Sequence, residues 1–101
     1  MARRVPTIGD LRSSILRVTR KHGARNVSVF GSFARNEQRT SSDVDLLVDF
    51  PAGTTLLDHV GLIVELEETL KRKVDVLTYD GISRYLRDRI LSEARPLFRR
   101  G

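Results

Sequence analysis

Val27-Ser28-Val29-Phe30-Gly31-Ser32, ten further residues, and then Asp43-Val44-Asp45-Leu46-Leu47-Val48-Asp49-Phe50 form the stretch on which the reading of this chain turns. The first apolar run predicts a short strand that feeds directly into a tight Gly-Ser turn. The second predicts a central strand over 43–50. Alternation sends Asp43 and Asp45 to one face and Val44, Leu46, Val48 and Phe50 to the other, into a core. A third acidic residue, Asp75, lies in Val74-Asp75-Val76-Leu77, inside a predicted strand over 73–78. Carboxylates this close repel one another, and burying them is costly without a compensating cation. Oxygen-only ligands suit magnesium, which keeps several waters and shares phosphate oxygens with a bound nucleotide. The Gly31-Ser32 turn offers backbone N–H groups and a hydroxyl to the same phosphates. Together these pieces describe a nucleotidyl-transfer site.

Working outward, Ile8, Leu11, Ile15 and Val18 recur at helical spacing, with Leu16 widening the stripe. Thr7 and Asp10 fit a capping arrangement, and Gly23 a C-cap. One helical turn is expected over 33–37 and a polar loop over 36–42. Pro51-Ala52-Gly53 ends the central strand, and Thr54 is expected to cap a second helix running to about Arg72. Its apolar stripe is read as Leu56, Leu57, Val60, Ile63, Val64, Leu66 and Leu70, with Glu65, Glu67 and Glu68 mostly facing solvent. A last helix after Asp80-Gly81 is expected to use Ile82, Tyr85, Leu86, Ile90, Ala94, Leu97 and Phe98, with Pro96 kinking or shortening its end. The predicted order, α-β-α-β-α-β-α, is one compact α/β domain over residues 1–101: a small mixed sheet flanked by helices.

The chain has 101 residues, 40% of them hydrophobic and 31% charged, which is ordinary for a soluble domain with a single core. There is no cysteine, so disulfides and thiolate metal sites are excluded. No apolar run approaches the roughly 20 residues needed to span a bilayer. Met1-Ala2-Arg3-Arg4-Val5-Pro6 has no signal-peptide core, and a cytoplasmic location is expected. The net charge of +5 comes from 15 Arg and three Lys. Such a surface suits a nucleotide, a nucleic acid or an acidic partner, or is simply solvated. With no aromatic residues interleaved, direct nucleic-acid binding is not expected.

Gly31-Ser32-Phe33-Ala34-Arg35, Ser42-Asp43-Val44-Asp45-Leu46-Leu47-Val48 and Val74-Asp75-Val76 resemble the minimal nucleotidyltransferases, the smallest members of the DNA polymerase beta superfamily. The resemblance extends over nearly the whole chain. It implies Asp43, Asp45 and Asp75 as ligands of Mg2+, two ions in all, and Gly31 and Ser32 as the phosphate cradle for ATP. It also implies Asp75 as general base. Two metals about 4 Å apart activate an attacking hydroxyl and neutralise leaving pyrophosphate. Arg35 either reaches a phosphate oxygen or pairs with Glu37. Many relatives have Gly where this chain has Asn36, and Asn tolerates the left-handed conformation. Asp49 is expected to be a solvated residue rather than a ligand, and His22 and His59 surface residues.

Proteins resembling this chain are commonly the antitoxin half of toxin–antitoxin pairs, which implies a HEPN-type ribonuclease as partner and AMP transfer from ATP onto its tyrosine hydroxyl. A bulky anionic adduct there would repel RNA phosphates. Two rival readings are a nucleotidyltransferase with a small-molecule acceptor such as an aminoglycoside, and an antitoxin that acts by occlusion alone. The first rival usually carries an added helical domain, and the second has no need of three clustered carboxylates. A partner is expected to dock across the open strand face, the 36–42 loop and the last helix. There Arg84, Arg87, Arg95 and Arg99 supply charge, with Tyr85 or Phe33 as apolar anchor. Phe33 reads rather as core, since Phe is usually buried.

Overall fold

The computed structural model describes residues 4–99, so the reading of Met1-Ala2-Arg3 lies outside the described residues. Helix α1 spans Ile8–Lys21. Its Thr7–Asp10 capping box is closed in both directions, at 3.2 Å from Asp10 N to Thr7 Oγ1 and 2.9 Å from Thr7 N to Asp10 Oδ2. The helix ends at His22, and Gly23 follows at φ +82°. Strand β1 is Asn26–Phe30, followed by a 3-10 turn over Gly31–Phe33. Asn36 is left-handed at φ 58°, the conformation its short amide tolerates. Strand β2 is Val44–Asp49, helix α2 Leu56–Leu70, strand β3 Val74–Thr78, helix α3 Arg87–Glu93 and strand β4 Arg95–Arg99.

The four strands form one mixed sheet in the order β3-β2-β1-β4. Strand β1 is antiparallel to both β2 and β4, whereas β2 and β3 are parallel and joined by the α2 crossover. On one face Val27, Val29, Val44, Leu46, Val48, Val74 and Val76 pack against Ile15, Leu16 and Val18 of α1 and Leu62, Leu66 and Leu70 of α2. On the other, Leu47 with Phe30 and Leu77 packs under Ile82 and Ile90 at α3. That second cluster covers only part of its face, and the carboxylates of β2 and β3 project from the same side.

Three expectations are corrected. The expected terminal helix divides into the seven residues of α3 and the edge strand β4, which carries Pro96, Leu97 and Phe98. A residue before proline is forced out of the helical region, so Arg95 is extended and the helix cannot continue. An edge strand accommodates the missing N–H of Pro96. The second helix is capped by Thr55, not Thr54, through a capping box with Asp58. It stops at Leu70 because Lys71 is left-handed at φ 56°. Thr54 instead donates its hydroxyl to Pro51 O at 2.7 Å. Thr55→Ala is therefore expected to cost about 1 kcal/mol, read as a lower urea midpoint, and Thr54→Ala less.

The buried face of α2 is the third correction. Leu62, Leu66 and Leu70 face the sheet, while Leu56 and Leu57 are each 80% exposed and Val60 and Val64 about half exposed. The helix is apolar on more than one side, so periodicity alone does not choose the side that packs. The same orientation draws in residues expected at the surface. His22 lies 2.9 Å from Glu65, and His59 Nε2 lies 3.0 Å from Val76 O with its ring against Phe50. Glu67 accepts from Val74 N at 3.0 Å, tying α2 to the start of β3.

Candidate active site

Asp45 and Asp75 are partners across the parallel β2–β3 pair, and Leu47 and Leu77 are partners one step further along the same face. Parallel pairing in this register sets the two carboxylates side by side, with Asp75 in hydrogen-bonding reach of Asp45. On the other flank of β2, Asp45 is opposite Phe30, the last residue of β1. The chain turns immediately after Phe30 at Gly31, whose φ of +72° lies in the region glycine favours. A methyl group on Gly31 would overlap Asp45 Oδ2 and approach Asp45 Cγ to 3.1 Å. Glycine is required here twice, by its dihedral and by the carboxylate resting on it. The structure thus brings Gly31, Asp45 and Asp75 together and sets Ser32 beside them in the turn.

Burial raises the Asp45 carboxyl to about 6, assisted by the neighbouring charge of Asp75, by their hydrogen bond and by Asp43. Arg35 acts in the opposite direction. Asp43 stands one residue before β2, exposed, and adds repulsion without closing a cage. Among the described residues no three acidic or histidine side chains are disposed to ligate one metal. The strand begins only at Val44, so nothing in the sheet fixes the direction of Asp43. The donor set nevertheless fits magnesium, which needs only one or two carboxylates when phosphate and water complete its shell.

Arg35 pairs with Glu37, the expected partner, at 3.4 Å, and also with Glu93 of α3. It therefore stands at the rim between the Gly-Ser turn and α3, close enough to Asp45 to favour its charge. Phe33 is core, at 3% exposure, so it is no docking anchor.

Residues 11–97 match the family model described as nucleotidyltransferase domain. The chain belongs to the nucleotidyltransferase domain family. It is 52% identical over 87 residues to a Methanocaldococcus jannaschii protein assigned provisionally as a protein adenylyltransferase, covering 86% of this chain and 94% of that one. A solved structure described provisionally as a minimal nucleotidyltransferase superposes with a TM-score of 0.78 at 44% identity, covering 90% of this chain and 96% of that one. A Shewanella oneidensis complex of a tri-AMPylated HEPN toxin with an MNT antitoxin matches with a TM-score of 0.69. At 18% identity, over 87% of this chain and 69% of that one, this last likeness is one of fold.

In this nucleotidyltransferase domain a well-formed concavity also lies away from the carboxylates. A cleft of about 570 Å³ lies at the opposite end of β2 and β3, lined by Asp49, His59, Thr78 and Tyr79 among others. At about 3.3 Å per residue, Asp49 lies about 13 Å along the strand from Asp45. Its carboxylate is half-buried and accepts from Asn26 Nδ2 at 3.1 Å. The carboxylate face is the candidate site, because converging carboxylates suit a cation and the phosphate oxygens it shares. Among the described residues no helix is long and apolar enough to cross a membrane.

Glu93 and Arg72 are the site neighbours that sequence reasoning missed. Glu93 is 58 residues from Arg35, and Arg72 is 30 from Ser42, whose carbonyl it reaches. Neither pairing leaves a local pattern by which it could have been found.

Proposed function

We propose that this nucleotidyltransferase domain moves AMP from ATP onto a tyrosine hydroxyl of a HEPN-type ribonuclease partner and so silences it. The observation that carries the reading is the in-register Asp45–Asp75 pair beside Gly31, a carboxylate site with a tight glycine turn at its edge. The relative assigned as a protein adenylyltransferase supports the transferred group, and the tri-AMPylated HEPN toxin bound to an antitoxin of this fold supports the class of acceptor.

In this reading Asp45 and Asp75, with Asp43 completing the set, would hold Mg2+. When bound, that ion supplies charge neutralisation at the α-phosphate and at leaving pyrophosphate. The Gly31 and Ser32 backbone and the Ser32 hydroxyl hold the outer phosphates, and Arg35 exchanges its pairs with Glu37 and Glu93 for a phosphate oxygen at the rim. The tyrosine oxygen attacks the α-phosphorus, and the bond to the α–β bridging oxygen breaks. Exposed Asp75 accepts the phenolic proton. Pyrophosphate leaves and the adenylyl group remains on the tyrosine.

The exposed segment before and within α3, with Arg84, Tyr85 and Arg87, borders this face and suits a mixed apolar and charged contact with the partner. Arg95 and Arg99 lie on β4 rather than on a helix beside them.

Two measurements test the reading. ATP with magnesium is expected to raise the melting temperature, with the rise abolished by chelation, because the ligand binds only the native state. Intact-mass spectrometry of a co-expressed HEPN partner is expected to show the addition of whole adenylyl groups, mapped to tyrosine. No shift at millimolar ATP and magnesium, or an unmodified partner, rejects it.

A further inference from the structure

We infer that Arg72 is a positioning residue that sets the geometry of the carboxylate site from behind, an inference that rests on the nucleotidyl-transfer reading above. The residue follows the left-handed Lys71, in the short link between α2 and β3. Its Nη1 donates to Ser42 O at 3.1 Å. Ser42 directly precedes Asp43, so this bond holds the end of the loop that delivers Asp43 and starts β2.

The same guanidinium lies over the Phe33 ring, 5.6 Å from its centroid. Phe33 is the buried last residue of the Gly31–Phe33 turn, so the contact braces the proposed phosphate cradle. Strand β3 begins two residues beyond Arg72, at Val74, and carries Asp75 at its second position. One side chain therefore touches the turn that bears Gly31 and Ser32 and the loop that bears Asp43, and it emerges from the link that leads to Asp75. Val44 N donates to Lys73 O at 3.0 Å, a second clasp between the link and β2.

The chemistry of the side chain fits this task. A planar guanidinium can donate in its plane to a carbonyl and present its face to a ring at the same time, which an ammonium cannot do with fixed geometry. Arg72 Nε is also a buried donor with no hydrogen-bond partner among the described residues. Asp43 has no strand pairing of its own, so its position depends on the bonds its neighbours make, Ser42 O to Arg72 on one side and Val44 N to Lys73 O on the other. Groups that orient ligands in this way commonly alter metal affinity by 10- to 100-fold.

Arg72→Lys, which keeps the charge, and Arg72→Met, which keeps the length, test this in the full chain. Amide exchange in the ligand-free protein is expected to quicken about tenfold at residues 40–44, with β1 residues 27–29 unchanged. In both variants the magnesium concentration for half-maximal stabilisation by ATP is expected to rise about tenfold. The KM for ATP should rise with it, while the ligand-free melting temperature of Arg72→Lys stays near that of the parent. A uniform increase of exchange across the sheet, or unchanged exchange at 40–44, overturns the inference and leaves Arg72 a packing residue. An unchanged magnesium requirement in a variant whose loop has loosened overturns it as well. Failure of the nucleotidyl-transfer reading is seen separately, as no ATP response in the unsubstituted chain. The exchange measurement then still decides whether Arg72 holds the loop.

Discussion

Asp45→Asn is expected to abolish adenylyl transfer while leaving the ligand-free domain as stable as before or more so. The amide keeps the size of the side chain but removes one of two carboxylates paired across β2 and β3. On the proposed reading Asp45 is a charged ligand of Mg2+, and its loss removes several kcal/mol of transition-state stabilisation, on the order of 10³-fold or more in rate. Stability responds in the opposite direction, because burial and the neighbouring Asp75 and Asp43 charges raise the Asp45 carboxyl from 3.8 to about 6. A raised carboxyl favours the fold fully below its unfolded value, and that contribution is lost as pH rises through about 6. In chelator, the parent is therefore expected to lose stability relative to Asp45→Asn between about pH 4 and pH 6. The gap at neutral pH should reach about 1 to 2 kcal/mol, allowing for solvent screening of a half-exposed group. Paired urea titrations across that range and intact-mass analysis of the partner check the two effects. An active Asn variant sinks the site assignment, and a parent whose relative stability rises with pH sinks the account of repulsion. Partner binding should be unchanged, since Asp45 is half-buried beneath the turn.

Gly31→Ala is expected to damage both fold and activity, and thereby to separate a glycine required by geometry from one required by turn propensity alone. Alanine at φ +72° costs about 1 to 2 kcal/mol. Its methyl group also overlaps Asp45 Oδ2, so the carboxylate must turn away or the turn must open. Either movement displaces the proposed phosphate cradle relative to Asp45 and Asp75, and a 1 Å misplacement costs on the order of 100-fold in rate. Gly53→Ala is the internal control. Gly53 is also left-handed, at φ +91°, but a methyl group there meets nothing within 4 Å. It should show the dihedral cost without the loss of transfer. Equal activity losses in the two variants would mean that the contact with Asp45 is unimportant.

Local order along the chain determined the strands that matter. Strand β1, the Gly31 turn, β2 and β3 were legible because alternation and turn chemistry act between neighbours in sequence, and so were the α1 capping box and the left-handed Asn36. The family resemblance, carried by the same residues, anticipated the nucleotidyltransferase domain to which the chain belongs. Interactions between distant residues decided the rest. Residues 82–98 have apolar spacing compatible with one helix, but β1 offers a second edge of unpaired N–H and C=O groups, and Arg95–Arg99 satisfies it as β4. Helix α2 has apolar residues on several sides, and only packing against β2, β3 and α1 selected Leu62, Leu66 and Leu70 over Leu56 and Leu57. Alternation set which face Asp45 and Asp75 share, whereas the parallel register that sets them side by side required the α2 crossover. The clasps from Glu93 to Arg35 and from Arg72 to Ser42 span tens of residues, and only the folded chain brings such partners within reach. Sequence therefore determined the chemical inventory of the site, and tertiary structure decided its geometry, because carboxylate spacing is set by strand register and register by packing across the sheet.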